Sequence, residues 1–284
     1  MILLDDNFAT IVIGVEEGRR IFDNMKKTVS YIVAGSVTTL FPFLIYVVLG
    51  FPQPIGTITV LLICLGTDMV PAVALAYEKA EADIMSLPPR NPRTERLVTG
   101  QLLMRAYFLV GAICTAAGFF GYFVALNYEG IKPKMLYQAR VDWDDRDKNF
   151  TIYGPDDDWY GKPTKEIDYH ERKRLEVIAQ SSYFIAVVVA QWMDVIVNKT
   201  RRLSNFSQGM GNWVLNWSLV FETGMAILFC YTPGLNTVLR VAPVIGQVWV
   251  SALPFFVYIL VFEELRKWIV RRFPKSFLGI ELLA

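Results

Sequence analysis

The chain has 284 residues, is 54% hydrophobic and 19% charged, and balances 28 basic against 27 acidic side chains for a net charge of +1. Soluble domains carry about 25% charged residues, so this composition excludes a disordered tail, and the balanced charge excludes a nucleic-acid binder. Three cysteines, each inside an apolar run, exclude a disulfide-stapled secreted module, and the single histidine, His170, leaves neither a zinc site nor a Ser-His-Asp triad.

In chain order, the first element is charged and amphipathic. Leu3-Leu4-Asp5-Asp6-Asn7-Phe8 reads as a short buried strand or turn leading into a helix near Phe8. Phe8, Ile11, Val12, Val15, Phe22 and Met25 then recur at helical spacing. Glu16–Arg20 and Asp23–Lys27 are expected i,i+4 pairs, worth about 0.2–0.5 kcal/mol each. The first 27 residues have no apolar core of a signal peptide. Nothing after Gly18 breaks the helix before the first apolar run, so it can enter the bilayer as a rigid rod; a simple amphipathic anchor has the same composition.

A hydrocarbon core about 30 Å thick takes roughly 20 apolar helical residues to cross. Six runs qualify, at about 29–49, 55–77, 106–128, 178–197, 213–231 and 248–269. The expected fold is an all-α membrane protein with six transmembrane helices and a cytosolic stalk helix continuous with the first span. Basic residues cluster before the first run, between the second and third, between the fourth and fifth, and after the sixth. The positive-inside rule therefore puts both termini in the cytosol and the 129–177 loop outside. That loop mixes acidic residues with tryptophans, without a regular calcium-ligand spacing. It reads as a solvated loop that docks a partner.

Carboxylates inside spans cost about 2.5–3.5 kcal/mol near the centre and mark ion paths or pairings. Here they are Asp68, Asp194 and Glu222, while Glu263 and Glu264 are expected to pair with Arg266 and Lys267 near the inner end of the sixth span. Pro71 has no amide to give the Thr67 carbonyl, and Pro42 none to give that of Thr38, so a loose carbonyl is expected at each place. Ser36 and Thr39, Cys64 and Asp68, and Gln191 and Asp194 each share a helix face. Carbonyls and carboxylates at broken helices bind bare cations. The competing reading is that these residues hydrogen-bond helices together.

Several stretches resemble one known family. Leu3-Leu4-Asp5-Asp6-Asn7-Phe8 with Gly14-Val15-Glu16-Glu17-Gly18-Arg19 resembles the end of the phosphorylation domain and the stalk of type II P-type ATPases. Leu65-Gly66-Thr67-Asp68-Met69-Val70-Pro71-Ala72 resembles the second of their core ion-binding helices. Arg140-Val141-Asp142-Trp143-Asp144-Asp145, Gln191-Trp192-Met193-Asp194 with Lys199-Thr200-Arg201-Arg202, and Glu264-Leu265-Arg266-Lys267 with Arg271-Arg272 resemble the sodium/potassium and proton/potassium branch.

The resemblance implies that residues 1–27 are the end of the phosphorylation domain and the stalk. Residues 28–284 would then be the cation-translocating membrane domain of an alpha subunit in the plasma membrane. ATP and Mg would act in upstream domains, since this chain has neither a Gly-rich loop nor an Asp-Lys-Thr-Gly stretch. Sodium or potassium would be the transported species, with no other metal. The partners implied are the upstream half of the pump, membrane lipid and a single-span beta subunit, and no nucleic acid. The beta subunit would dock at Trp159-Tyr160-Gly161-Lys162, where the family has Ser-Tyr-Gly-Gln.

The candidate cation ligands are Asp68, Ser36, Thr39 and Thr67. Tyr31, Gln191, Asp194 and Glu222 match positions of the family's additional sodium site. Ser36 and Thr39 stand where the family has Asn and Glu, Thr38 where it has Pro, and Cys64 where it has Asp. Glu281-Leu282-Leu283-Ala284 replaces its paired C-terminal tyrosines, and Arg201-Arg202-Leu203-Ser204 matches a basophilic-kinase site at Ser204. The lost carboxylates imply an alternative, a transport-inactive regulatory or structural membrane protein that keeps the fold and the beta docking.

Overall fold

The structure, a computed structural model, describes residues 8–86, 89, 96–153 and 163–273. The Leu3–Asn7 stretch, the expected beta-docking residues Trp159, Tyr160, Gly161 and Lys162, and the C-terminal Glu281–Ala284 lie outside the described residues.

The first element, α1 (Phe8–Leu49), is one helix of 42 residues. It joins the stalk to the first span, as the unbroken sequence predicts. Arg20 pairs with Glu17 at 2.9 Å, so the expected Glu16–Arg20 pair is replaced by an i,i+3 neighbour that is equally within reach. Lys27 takes Asp23 at 3.0 Å, as expected. Pro42 lies inside α1. The Thr38 carbonyl that it leaves without an amide accepts the Tyr183 hydroxyl at 2.8 Å, so the proline gap is filled from the fourth span.

The second span is broken into α2 (Thr57–Leu61), a π-helical turn at Leu62–Thr67, and α3 (Met69–Ala76). The third is α4 (Gly100–Met104), a π turn at Arg105–Gly111, and α5 (Ala112–Tyr128). Thr99 caps α4 by accepting the Leu102 amide at 3.2 Å, so the helix starts before the expected 106 and takes Arg105 into its interior.

Outside the spans, α6 (Pro133–Leu136), α7 (Arg140–Asp144) and an antiparallel hairpin of β1 (Phe150–Tyr153) with β2 (Pro163–Ile167) form a small folded unit. The sequence reading of a solvated loop is corrected here. Trp143 is buried and donates its indole N–H to Glu176 at 3.1 Å, and the buried Arg172 guanidinium donates to the carbonyls of Lys148 and Asp145. The unit is tied to the end of α1. Gly50 and Gln138 both adopt positive φ (66° and 58°), and the Gln138 and Arg140 amides donate to the carbonyls of Leu49 and Gly50. A Cβ at Gly50 would sit 3.0 Å from the Gln138 Cα, so the turn requires glycine twice over.

The fourth span, α8 (Tyr169–Asn198), starts at an Asp168 cap well before the expected 178 and is the buried centre of the bundle, with every side chain from Tyr183 to Ala190 at 0% exposure. Then come α9 (Asn205–Gln208), the fifth span α10 (Trp213–Tyr231), α11 (Leu235–Leu239), and the sixth span, α12 (Gly246–Ser251) with α13 (Leu253–Arg272). Among the described residues, six helical stretches are long and apolar enough to cross a membrane. α5 lies close against α8 because Gly118 faces the Tyr183 ring and Gly121 faces Ala186; a Cβ at either would come within 2.6 Å of those atoms. Between spans, such small residues give the packing that the hydrophobic effect cannot.

Candidate cation site

The π turn in the second span sets the site. The Asp68 amide donates to Ile63, five residues back, at 2.9 Å, and this one-residue widening re-aims the Asp68 side chain. The Thr67 hydroxyl turns back to the Ile63 carbonyl at 3.0 Å. Pro71 offers Thr67 no amide, and the next amide, of Ala72, bonds the Asp68 carbonyl at 3.1 Å.

Asp68 reaches across to two helices. Its Oδ1 accepts from Gln191 Nε2 of α8 at 2.7 Å. Its Oδ2 lies against Gly35 of α1, where a Cβ would be only 2.8 Å away. Gly35 therefore admits the carboxylate, a role that the sequence signalled only as an isolated glycine in an apolar helix. Asp68, Gly35, Ser36 and Cys64 line a groove of about 440 Å³.

Behind Asp68 lies a second, enclosed group. Tyr31, Gln191, Asp194 and Glu222 come from α1, α8 and α10 and are each at most 1% exposed. The Tyr31 hydroxyl, Gln191 Oε1, Asp194 Oδ2 and both Glu222 oxygens find no hydrogen-bond partner among the described residues. Buried polar atoms are ordinarily satisfied, so this many together signals a site for a ligand made of charge or of donors. Oxygen ligands of this kind suit hard cations.

The structure separates the expected ligands. Asp68 joins the enclosed group through Gln191. Ser36, Thr39 and Thr67 are oriented by their own helices: the Ser36 hydroxyl donates to the Ile32 carbonyl at 2.9 Å, that of Thr39 to the carbonyls of Ser36 and Gly35, and that of Thr67 to Ile63, so each offers neutral lone pairs and no charge.

Residues 52–269 match the family model described as "Cation transporting ATPase, C-terminus". The chain belongs to this cation-transporting ATPase family. It is 47% identical to a sodium/potassium-transporting ATPase subunit alpha of Hydra vulgaris, 48% identical to that of Drosophila melanogaster and 46% identical to the human subunit alpha-4, over 96%, 99% and 99% of its own length. In each case it covers 26% of the relative, so it spans about a quarter of their length.

In this family member the ends of the spans that carry Arg105 and Glu263 are cross-linked by charge. Glu263 pairs with Arg266 at 2.9 Å, as expected, but it also takes Arg105 of the third span at 2.9 Å. Lys267 finds neutral acceptors instead, the Val197 carbonyl, Thr200 and Asn205, and Glu264 accepts from the Ser204 hydroxyl and the Asn205 amide. Ser204 is thus half-buried, capping α9 and held by a carboxylate. Sequence reasoning placed Arg105 in the connection before the third span and gave Asn198 no part in the site. Only the start of α4 at a threonine cap could have signalled that Arg105 lies inside a helix.

Proposed function

We propose that this chain is the cation-translocating membrane part of a sodium/potassium-type P-type ATPase alpha subunit, in the plasma membrane, with the inner charge network on the cytosolic side. The observation that carries this reading is the enclosed set of unpartnered oxygens on Tyr31, Gln191, Asp194 and Glu222, joined to Asp68 across three helices. A further support is the apolar face that α1 and the π turn of the second span leave uncovered beside the groove, with Leu40 and Leu65 both 67% exposed. Spans of an upstream half would cover it, while ATP and Mg act in that half. Sodium and potassium are the cargo, and a beta subunit is the partner of the outer unit.

Ser36 and Thr39 offer only neutral hydroxyl oxygens, and Cys64 is a poor ligand for a hard ion. The complete pump carrying this chain therefore exchanges cations weakly. ATP-driven rubidium uptake into membrane vesicles tests this. Thr39→Glu with Cys64→Asp raises uptake, and Asp68→Asn abolishes it; uptake indifferent to Asp68→Asn overturns the reading. The neutral side chains at Ser36, Thr39 and Cys64 also favour a second reading, a transport-inactive regulatory protein, for which the double substitution restores nothing.

A further inference from the structure

At the inner end of the enclosed group, Arg105 and Asn198 form a connection that no ion ligand requires. Arg105 is 7% exposed, Asn198 2% and Glu263 0%. Arg105 grips Glu263 with two parallel bonds, Nε to Oε1 at 2.9 Å and Nη2 to Oε2 at 3.1 Å. The same Glu263 also accepts from Arg266 Nε at 2.9 Å. Two guanidiniums thus share one carboxylate, and the pair leaves a positive charge over.

That surplus faces Asp194. Arg105 Nη2 donates to Asn198 Oδ1 at 3.2 Å, and Asn198 Nδ2 donates to Asp194 Oδ1 at 2.6 Å and to the Asp194 carbonyl at 2.9 Å. The carboxamide can take only one orientation here. Flipped, it would set its NH2 against a guanidinium and its oxygen against a carboxylate. It is therefore a fixed dipole with its positive end on Asp194 and its negative end on Arg105. Asp194 Oδ2 is left facing inward without a partner, beside the equally unpartnered Glu222.

We propose that Arg105 is a tethered counter-cation of the enclosed group, acting on Asp194 through Asn198, and that it determines specificity by weakening monovalent-cation binding at Asp194. A mobile cation neutralises a buried carboxylate that has no other compensation. Here a guanidinium fixed in the third span supplies part of that compensation, and by repulsion it disfavours a second positive charge in the same low-dielectric space. This inference rests on the cation-site reading above and names what sets its affinity.

The test is sodium-induced infrared difference spectroscopy on membranes holding the complete pump, with carboxylate bands assigned by Asp194→Asn and Asp68→Asn. In the unmodified protein the Asp68 band responds at lower sodium than the Asp194 band. Arg105→Gln leaves Glu263 paired with Arg266 and lowers the sodium needed for half-response at Asp194 by about tenfold or more, the effect of removing one nearby buried charge. Arg105→Lys keeps the charge and stays near the unmodified value. Asn198→Leu cuts the bridge without touching Glu263 and moves Asp194 in the same direction as Arg105→Gln. A sodium response at Asp68 with Asp194 unchanged by Arg105→Gln, or changed equally by Arg105→Lys, overturns the inference and leaves the cation reading standing. No sodium response at any carboxylate in any variant overturns both.

Discussion

Where α1, residues 77–86, the α8–α10 connection and α13 meet, Glu81 accepts the backbone amides of Arg201, Arg202 and Leu203, the first at 2.6 Å, and lies 3.5 Å from Lys27. Asp23 takes both Lys27 and Arg201, and Glu78 takes Asn212 at 2.9 Å and Lys199 at 3.8 Å. Burial pulls the Lys199 ammonium below the ordinary lysine range, and Glu78 opposes that pull. Midway along the fifth span, Glu222 is as deeply buried as any of these carboxylates, yet neither of its oxygens has a partner among the described residues. The same side-chain type thus stands in two settings. Multiple donors on one carboxylate stabilise a junction, whereas a buried carboxylate short of donors leaves its desolvation cost unoffset within the described residues.

The difference can be broken from either side. The largest effect is expected at the junction, where Glu81→Ala strips three amides and Lys27 of a shared acceptor. Breaking a buried, hydrogen-bonded charge costs about 3–5 kcal/mol, so thermal unfolding in detergent moves to clearly lower temperature. A Tm unchanged by this substitution would show that the junction does not hold the bundle.

At the mid-membrane cluster the sign reverses. Glu222→Gln removes an uncompensated buried carboxylate and supplies donors to its neighbours, so stability is unchanged or rises by about 1–2 kcal/mol while cation-dependent stabilisation is lost. Thermal unfolding with and without sodium reads both effects in one experiment. A large loss of stability without sodium would mean that Glu222 is structural glue.

The smallest effect sharpens the edge of the junction. Ser204→Ala removes the α9 cap and the 2.7 Å bond to Glu264 and costs about 1 kcal/mol, the usual value of a cap. Phosphorylation competes with that same bond, so Glu264→Gln speeds modification of Ser204 by a basophilic kinase in a phosphopeptide time course.

The sequence by itself determined the six apolar spans, the continuity of the first long helix into the first span and which carboxylates lie inside spans. Those features rest on hydropathy and on the absence of breakers, both local properties of the chain. It also pointed to Asp68 through Pro71, because a missing amide is visible in the sequence. What only the tertiary structure decided is which polar groups meet which partners. The Thr38 carbonyl accepts from Tyr183, the hydroxyls of Ser36 and Thr39 donate within their own helix, and Arg105 lies inside the bundle rather than in a loop. The partners Tyr183, Glu263 and Asn198 lie far away in the sequence from the groups they satisfy. Hydrogen bonds across helices depend on rotation and register, which a π turn or a cap shifts by one residue.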